Sequence, residues 1–350
     1  MPGTVPPDPS PIEILTAVLS TFAASLPVAI GIAVAFLAVR DGPVAARIRT
    51  LALPAAVVVA GSAVLQFCTA RTPSPGQTAT FAAAVAGLVL LRWRPSPWPA
   101  AGTAVAGALG ALIPVMPSSL AALPRALLTA THVLGALIWV GGLIVLAAAG
   151  LLSRRDRNDA PGAHDWARTW ERFSVLALWC VGAMIVSGAW LAWTHVGTPA
   201  QLITTPYGWH LSVKLVLVGA LLAAGAYNTR VLLPRLRAAQ ADGDTRTALR
   251  LAVHHFPGVV AGEAAVAVAV LAVVPFLRGS ARTQAGGPAA GPFDLTVFGC
   301  GAVLVALTAA ALWAGTRVPT RTPGTPRTTE AVRSSAPGQA SVPPGLGRTG

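Results

Sequence analysis

The chain has 350 residues, of which 54% are hydrophobic and 11% charged, with a formal net charge of +13. Apolar runs of about twenty residues recur along it, which is the composition of an all-α, multi-pass transmembrane helical bundle and excludes a soluble globule. The basic balance follows the loops between those runs, so it is not read as nucleic-acid binding.

Residues 1–12 are Pro-rich, carry too little apolar surface to fold and form a disordered N-terminus; they lack the basic stretch of a signal peptide, so the first span is expected to be retained. Four spans follow at about 14–39, 51–69, 78–91 and 97–116, the third of them short, and make a membrane region (13–117) poor in polar side chains. A loop with Pro and Ser at 118–125 leads to a second region, 125–278, with spans at 126–152, 173–194, 209–233 and 255–277. A ninth span covers 293–314, and the Pro-rich tail 316–350 is expected to be disordered, its arginines close to anionic lipid. Lys and Arg number 20 in one set of alternate loops and 4 in the other. By the positive-inside rule this puts the N-terminus outside and the C-terminus inside.

Cys68, Cys180 and Cys300 are scattered in or near spans, which suits buried thiols better than disulfides or a metal motif. In the loop before the sixth span, Trp166, Trp170 and Phe173 recur at i, i+4 and i+7 away from Arg168 and Arg172, the pattern of a short interfacial anchor helix. The uncharged loop 195–208 is expected to dip into the interface or cover a cavity.

Lys214 is the single lysine and lies inside the seventh span. A charge at that depth costs about 2.5–3.5 kcal/mol or more unless it snorkels or is paired, which makes the residue a functional candidate. His210, Lys214, Leu217, Leu221, Gly225 and Asn228 follow at steps of three or four and form one stripe, about 27 Å long at 1.5 Å per residue. On the fifth span His132, Gly135, Trp139 and Gly142 share a face whose glycines let another helix approach closely. His132, His195 and His210 therefore come to one side of the membrane, where three imidazoles suit Cu(II), Zn or Ni, although no tight motif fixes their geometry and His195, at a loop edge, reads more readily as an interfacial residue than as a ligand.

Glu263 is the acid set deep in a span, and its depth differs from that of Lys214 by roughly 12–18 Å, so a direct salt bridge is not expected; Asn228 matches it in depth. The alternative is that Lys214 snorkels outward and Glu263 is protonated or hydrogen-bonded. His254 and His255 read as interfacial, and Met1, Met116 and Met184 are too dispersed for a thioether ladder. P-loop and DKTG motifs need a lysine, and the residues before Lys214 fit neither, which excludes direct ATP-driven pumping by this chain; no enzymatic role is expected.

The segments Thr131-His132 to Gly141-Gly142, Arg172-Phe173-Ser174, Ser187-Gly188, the T-x-Y-G-x-x-L-x-x-K run from Thr205 to Lys214, Ala226-Tyr227-Asn228-Thr229-Arg230, and Glu263 resemble the CopD family of copper-resistance membrane proteins over about 125–278. The resemblance implies copper uptake or homeostasis in a bacterial cytoplasmic membrane, with copper bound or transported. A β-rich, periplasmic copper-binding domain of the kind sometimes joined to such proteins is absent from this sequence, so copper would come from a separate periplasmic or extracellular carrier or be captured by the outer histidines. On this reading His132 and His210, with His195, receive copper, while Lys214, Asn228, Glu263, Trp139 and Tyr207 line or gate the route. The alternatives are a b-type cytochrome in which two of these histidines hold haem, and a non-transporting membrane assembly protein.

Overall fold

The computed structural model describes residues 8–69, 74–153, 160–244, 247–248, 250–288, 290–291 and 295–316, and among them every regular element is helical. Helix α1 (Pro11–Ile32) starts from a capping box in which Ser10 Oγ accepts the Glu13 N–H and the Glu13 carboxylate accepts the Ser10 N–H, and it runs on into a π segment, Ala33–Leu37. There follow α2 (Pro43–Thr50), α3 (Ala52–Cys68), α4 (Pro75–Trp93), α5 (Pro97–Leu112), α6 (Leu123–Ser153) and α7 (Ala160–His195). The short α8 (Gln201–Thr204) precedes α9 (Pro206–Tyr227), whose π segment Asn228–Leu232 leads into α10 (Leu233–Ala241). A further π segment (Arg250–His255) opens α11 (Phe256–Val273), and α12 (Ala281–Gln284) and α13 (Leu295–Thr316) are the last elements among the described residues.

Among the described residues seven stretches are long and apolar enough to cross a membrane: Pro11–Leu37, Pro43–Cys68, Pro97–Val115, Leu123–Ser153, His164–His195, Pro206–Ala241 and Phe256–Phe276. The expected nine therefore divide into these seven and two helices that fall short. The first is α4, which begins with Gln77, Thr78 and Thr80 and packs between α3 and α5; the second is α13, which is apolar over Leu295–Ala311 among the described residues and rests on α7. Of the segments expected to be disordered, 1–12 and 316–350, residues 1–7 and 317–350 lie outside the described residues, whereas Ser10, Pro11 and Ile12 form the cap and first turn of α1 and Thr316 ends α13; the arginines at 71, 154, 155, 157 and 246 also lie outside the described residues.

The centre of the molecule is α1, which packs on α3, α5, α6 and α11. Small residues set these approaches: a Cβ on Gly141 of α6 would meet Ser25 O at 2.6 Å, and one on Gly31 of α1 would meet Ala100 O and Ala104 of α5. The loop at 118–125 thus separates two stretches of sequence that share one core.

Both ends of α1 are tied to the second half. Near its start the Glu13 carboxylate meets Arg278 at 3.0 Å. At its other end the turn into α2 carries Asp41 in the left-handed region (φ 58) followed by Gly42. There the Asp165 carboxylate of α7 accepts the N–H groups of Val39 (3.3 Å) and Val44 (3.1 Å), and Arg172 donates to Leu37 O at 3.0 Å. Asp165 caps α2 at close range, since a Cβ on Gly42 would run into its Oδ2.

The anchor-helix expectation is corrected here. Trp166, Trp170 and Phe173 belong to the continuous α7 and are buried at 3%, 1% and 5% exposure, with Trp170 against Phe256 at 4.7 Å between ring centres. A helical stripe of aromatics looks the same whether it faces lipid headgroups or other helices, and here α6 and α11 supply the partner. The cysteine expectation holds for Cys180, which is buried, and fails for Cys68 and Cys300, which are exposed on helix faces.

Candidate functional site

The stripe on α9 is the packed face of that helix. Leu221 and Asn228 are buried and His210, Lys214, Leu217 and Gly225 half-buried, whereas Val213, Leu215 and Val216 between them are exposed. The period of three and four thus sorts polar positions inward and apolar ones outward, the reverse of a soluble helix and the expected order in lipid.

The run from Thr205 to Ser212 has a local structural logic. Thr205 is the N-cap of α9: its Oγ1 accepts the Gly208 N–H at 3.0 Å and donates to Gln201 O at 2.7 Å, while Pro206 takes the first helical position. Position 208 has to be glycine, since a Cβ there would lie 1.9 Å from Gln201 O. Ser212 Oγ donates to Leu202 O at 3.2 Å, and the Tyr207 N–H donates to Gln284 Oε1 at 2.9 Å. The loop 195–208 therefore carries α8, which folds against the start of α9.

All three candidate histidines sit at that same end, each held at Nδ1. His195 Nδ1 lies 2.7 Å from Leu191 O and His210 Nδ1 2.8 Å from Pro206 O. A carbonyl oxygen only accepts, so both rings carry their proton on Nδ1. His132 Nδ1 lies 3.2 Å from Ser187 Oγ, whose own proton goes to Ala183 O at 2.7 Å, so His132 is the donor there too. With Nδ1–H committed in this way, the neutral form of each ring offers its Nε2 lone pair, the tautomer that a metal-binding imidazole adopts when its other nitrogen is tied down.

The three rings nevertheless face different neighbours: His195 stacks on Tyr207 (5.8 Å), His210 on Phe276 (4.7 Å), and His132 packs over Ser187 and Gly188. Among the described residues no group of three or more His, Cys, Asp or Glu side chains is arranged to hold a metal ion. They share an end of the bundle without forming one preassembled centre.

The glycines beside His132 act as expected. A Cβ on Gly135 would meet Met184 and one on Gly142 would meet Phe173, so α7 lies directly on this face of α6, and Trp139 is buried in the common core. Lys214, half-buried on α9, lies within electrostatic reach of the His132 ring, and among the described residues it makes no ion pair.

Deeper in the bundle, Asn228 Nδ2 donates to Glu263 Oε1 at 2.5 Å, with both residues buried. The depth reckoning that matched Glu263 to Asn228 and not to Lys214 agrees with this contact. Of the other pair of histidines, His255 is exposed and the His254 side chain lies outside the described residues. Sequence reasoning missed Asp165, a second buried acid; its signal was its place five positions before Trp170 on what proves to be the same helix.

Compared with known proteins, residues 167–277 match the family model of copper resistance protein D, CopD. No curated protein and no solved structure matches the chain. The matched stretch contains His195, Tyr207, His210, Lys214, Asn228 and Glu263, while His132 and Trp139 precede it.

Proposed function

We propose, from the CopD match over 167–277, that this chain handles copper in a bacterial cytoplasmic membrane, in uptake or homeostasis, with copper as cargo. That match is the observation that carries the reading and favours it over the haem alternative. The N-terminus lies outside and the basic loops inside, so the end bearing His132, His195 and His210 faces outward. Their Nε2 lone pairs, turned out by Nδ1 hydrogen bonds, support capture of copper by imidazoles one or two at a time, from solution or from a separate copper-binding carrier. Lys214 sits one turn below His210 and acts by charge rather than as a ligand, since an ammonium repels a copper ion. Asn228 and Glu263 line the inward half of the route, and Trp139 and Tyr207 fix its walls.

Copper accumulation in cells and copper content of the purified protein test this. His132→Ala combined with His210→Ala is expected to lower both several-fold with the protein still in the membrane, and Lys214→Met is expected to lower accumulation alone. Accumulation that both variants leave unchanged removes these residues from the function. A Soret band lost in the double variant would establish the haem reading instead.

A further inference from the structure

We propose that Glu263 and Asn228 form a proton-binding site inside the membrane, in which Glu263 alternates between carboxylate and carboxylic acid and the Asn228 amide serves as partner in both states. Asn228 and Glu263 are 5% and 7% exposed, and their one mutual hydrogen bond leaves Asn228 Oδ1 buried without a partner. A buried polar atom left this way costs free energy, and a buried carboxylate held by one neutral donor costs more.

The charged and titratable groups on the elements around α11 do not offset that charge. Glu13 on α1, Arg125 and His132 on α6, and His210 and Lys214 on α9 lie toward the histidine end, with Lys214 about 21 Å along its helix from Asn228. Arg230, Arg250 and His255 lie toward the opposite end, as do Asp165, Arg168, Glu171 and Arg172 near the start of α7, which meets α11 through Trp170 and Phe256. Among the described residues none of these bonds to Glu263.

A primary amide matches both protonation states because it carries donors and an acceptor on one rotatable group. Against the carboxylate, Nδ2 donates to Oε1, as observed. When the carboxylate takes up one proton, the new O–H donates to Oδ1 after the amide turns over, and the orphaned acceptor is filled. One O–H bond forms, no other bond changes, and release is the reverse. A hard cation would need about six oxygens where this pair supplies two side chains, so a proton is the ligand that fits.

Glu263 is seven residues into α11, about 10 Å from its start, and Asn228 opens a π segment, where a helix leaves its regular hydrogen-bond ladder. Use of this proton to drive transport rests on the copper-handling reading; the site itself does not.

Infrared difference spectra between acid and alkaline pH, taken on the full chain in phosphatidylcholine vesicles without copper, test the site. The wild type is expected to show at acid pH the C=O stretch of a buried carboxylic acid, shifted in D2O, and Glu263→Gln is expected to lose that band while retaining wild-type thermal unfolding. Asn228→Leu is expected to keep the band at a shifted frequency, because the acid has lost its acceptor. Carboxylate bands alone at every pH, a band that survives Glu263→Gln, a band that sodium rather than acid removes or restores, or a frequency untouched by Asn228→Leu would each overturn the proposal. The copper accumulation assay is separate, so loss of either result leaves the other standing.

Discussion

Position 208 shows how strictly one residue can be determined. Gly208→Ala would press a methyl group into the Gln201 carbonyl, and because the clash is with backbone neither side can rotate away. It is expected to cost about 1–3 kcal/mol or more and to lower the thermal unfolding temperature in detergent. Gly188→Ala is the contrasting case, since the added methyl would lie 3.3 Å from His132 Cε1 and a small tilt of the ring relieves it. Ser187→Ala removes the acceptor of the His132 Nδ1–H at a cost of about 1 kcal/mol. It is expected to lower copper accumulation by more than that loss of stability explains, because the ring is then free to change tautomer. The stripe of His210, Lys214 and Asn228 was legible because helical period is written in side chains. The locking of His195 and His210 at Nδ1 was not, because the acceptors at Leu191 and Pro206 are carbonyls that every residue carries.

At the scale of elements, the join between α2 and α7 rests on Asp165, a buried carboxylate that accepts two backbone N–H groups. Asp165→Ala strands both donors and removes the cap of α2, so it is expected to destabilise the fold by about 1–3 kcal/mol, read as a lower unfolding temperature. Asp165→Asn keeps one acceptor oxygen and should fall between the variant and the wild type. The helices themselves were legible from hydropathy, and the seven apolar stretches lie where the sequence placed seven of nine. What hydropathy could not supply was the extent of α7. Its first turns carry Arg168, Glu171 and Arg172 and read as a loop, yet Trp166 stacks on Trp170 and Trp170 packs against Phe256, which makes those turns part of the core.

Over the whole molecule, the polar-poor first region and the polar-rich second are one packed body, because α1 lies against α6 and α11 as well as α3 and α5. Gly141→Leu would wedge α1 away from α6 at Ser25 and Ala29 and is expected to reduce the folded yield sharply, measured by size-exclusion chromatography after extraction. Residues 123–350 expressed alone are expected to aggregate, and co-expression of 1–122 is expected to restore extraction. A domain boundary read from composition misses this, since lipid-facing and helix-facing alanines have the same hydropathy. The two flanks of the second region differ in how firmly they are held. The α6–α7 side is fastened to α1 by Arg172, Asp165 and Gly141, whereas the Pro206–Ala241 stretch has only 6% of its most apolar window buried and leans mainly on α11. The least enclosed of these helices, α9, is thus joined to α11 where the Asn228–Glu263 bond meets the π segment at 228–232, so that one hydrogen bond is a main fastening of the helix that carries Lys214 and His210.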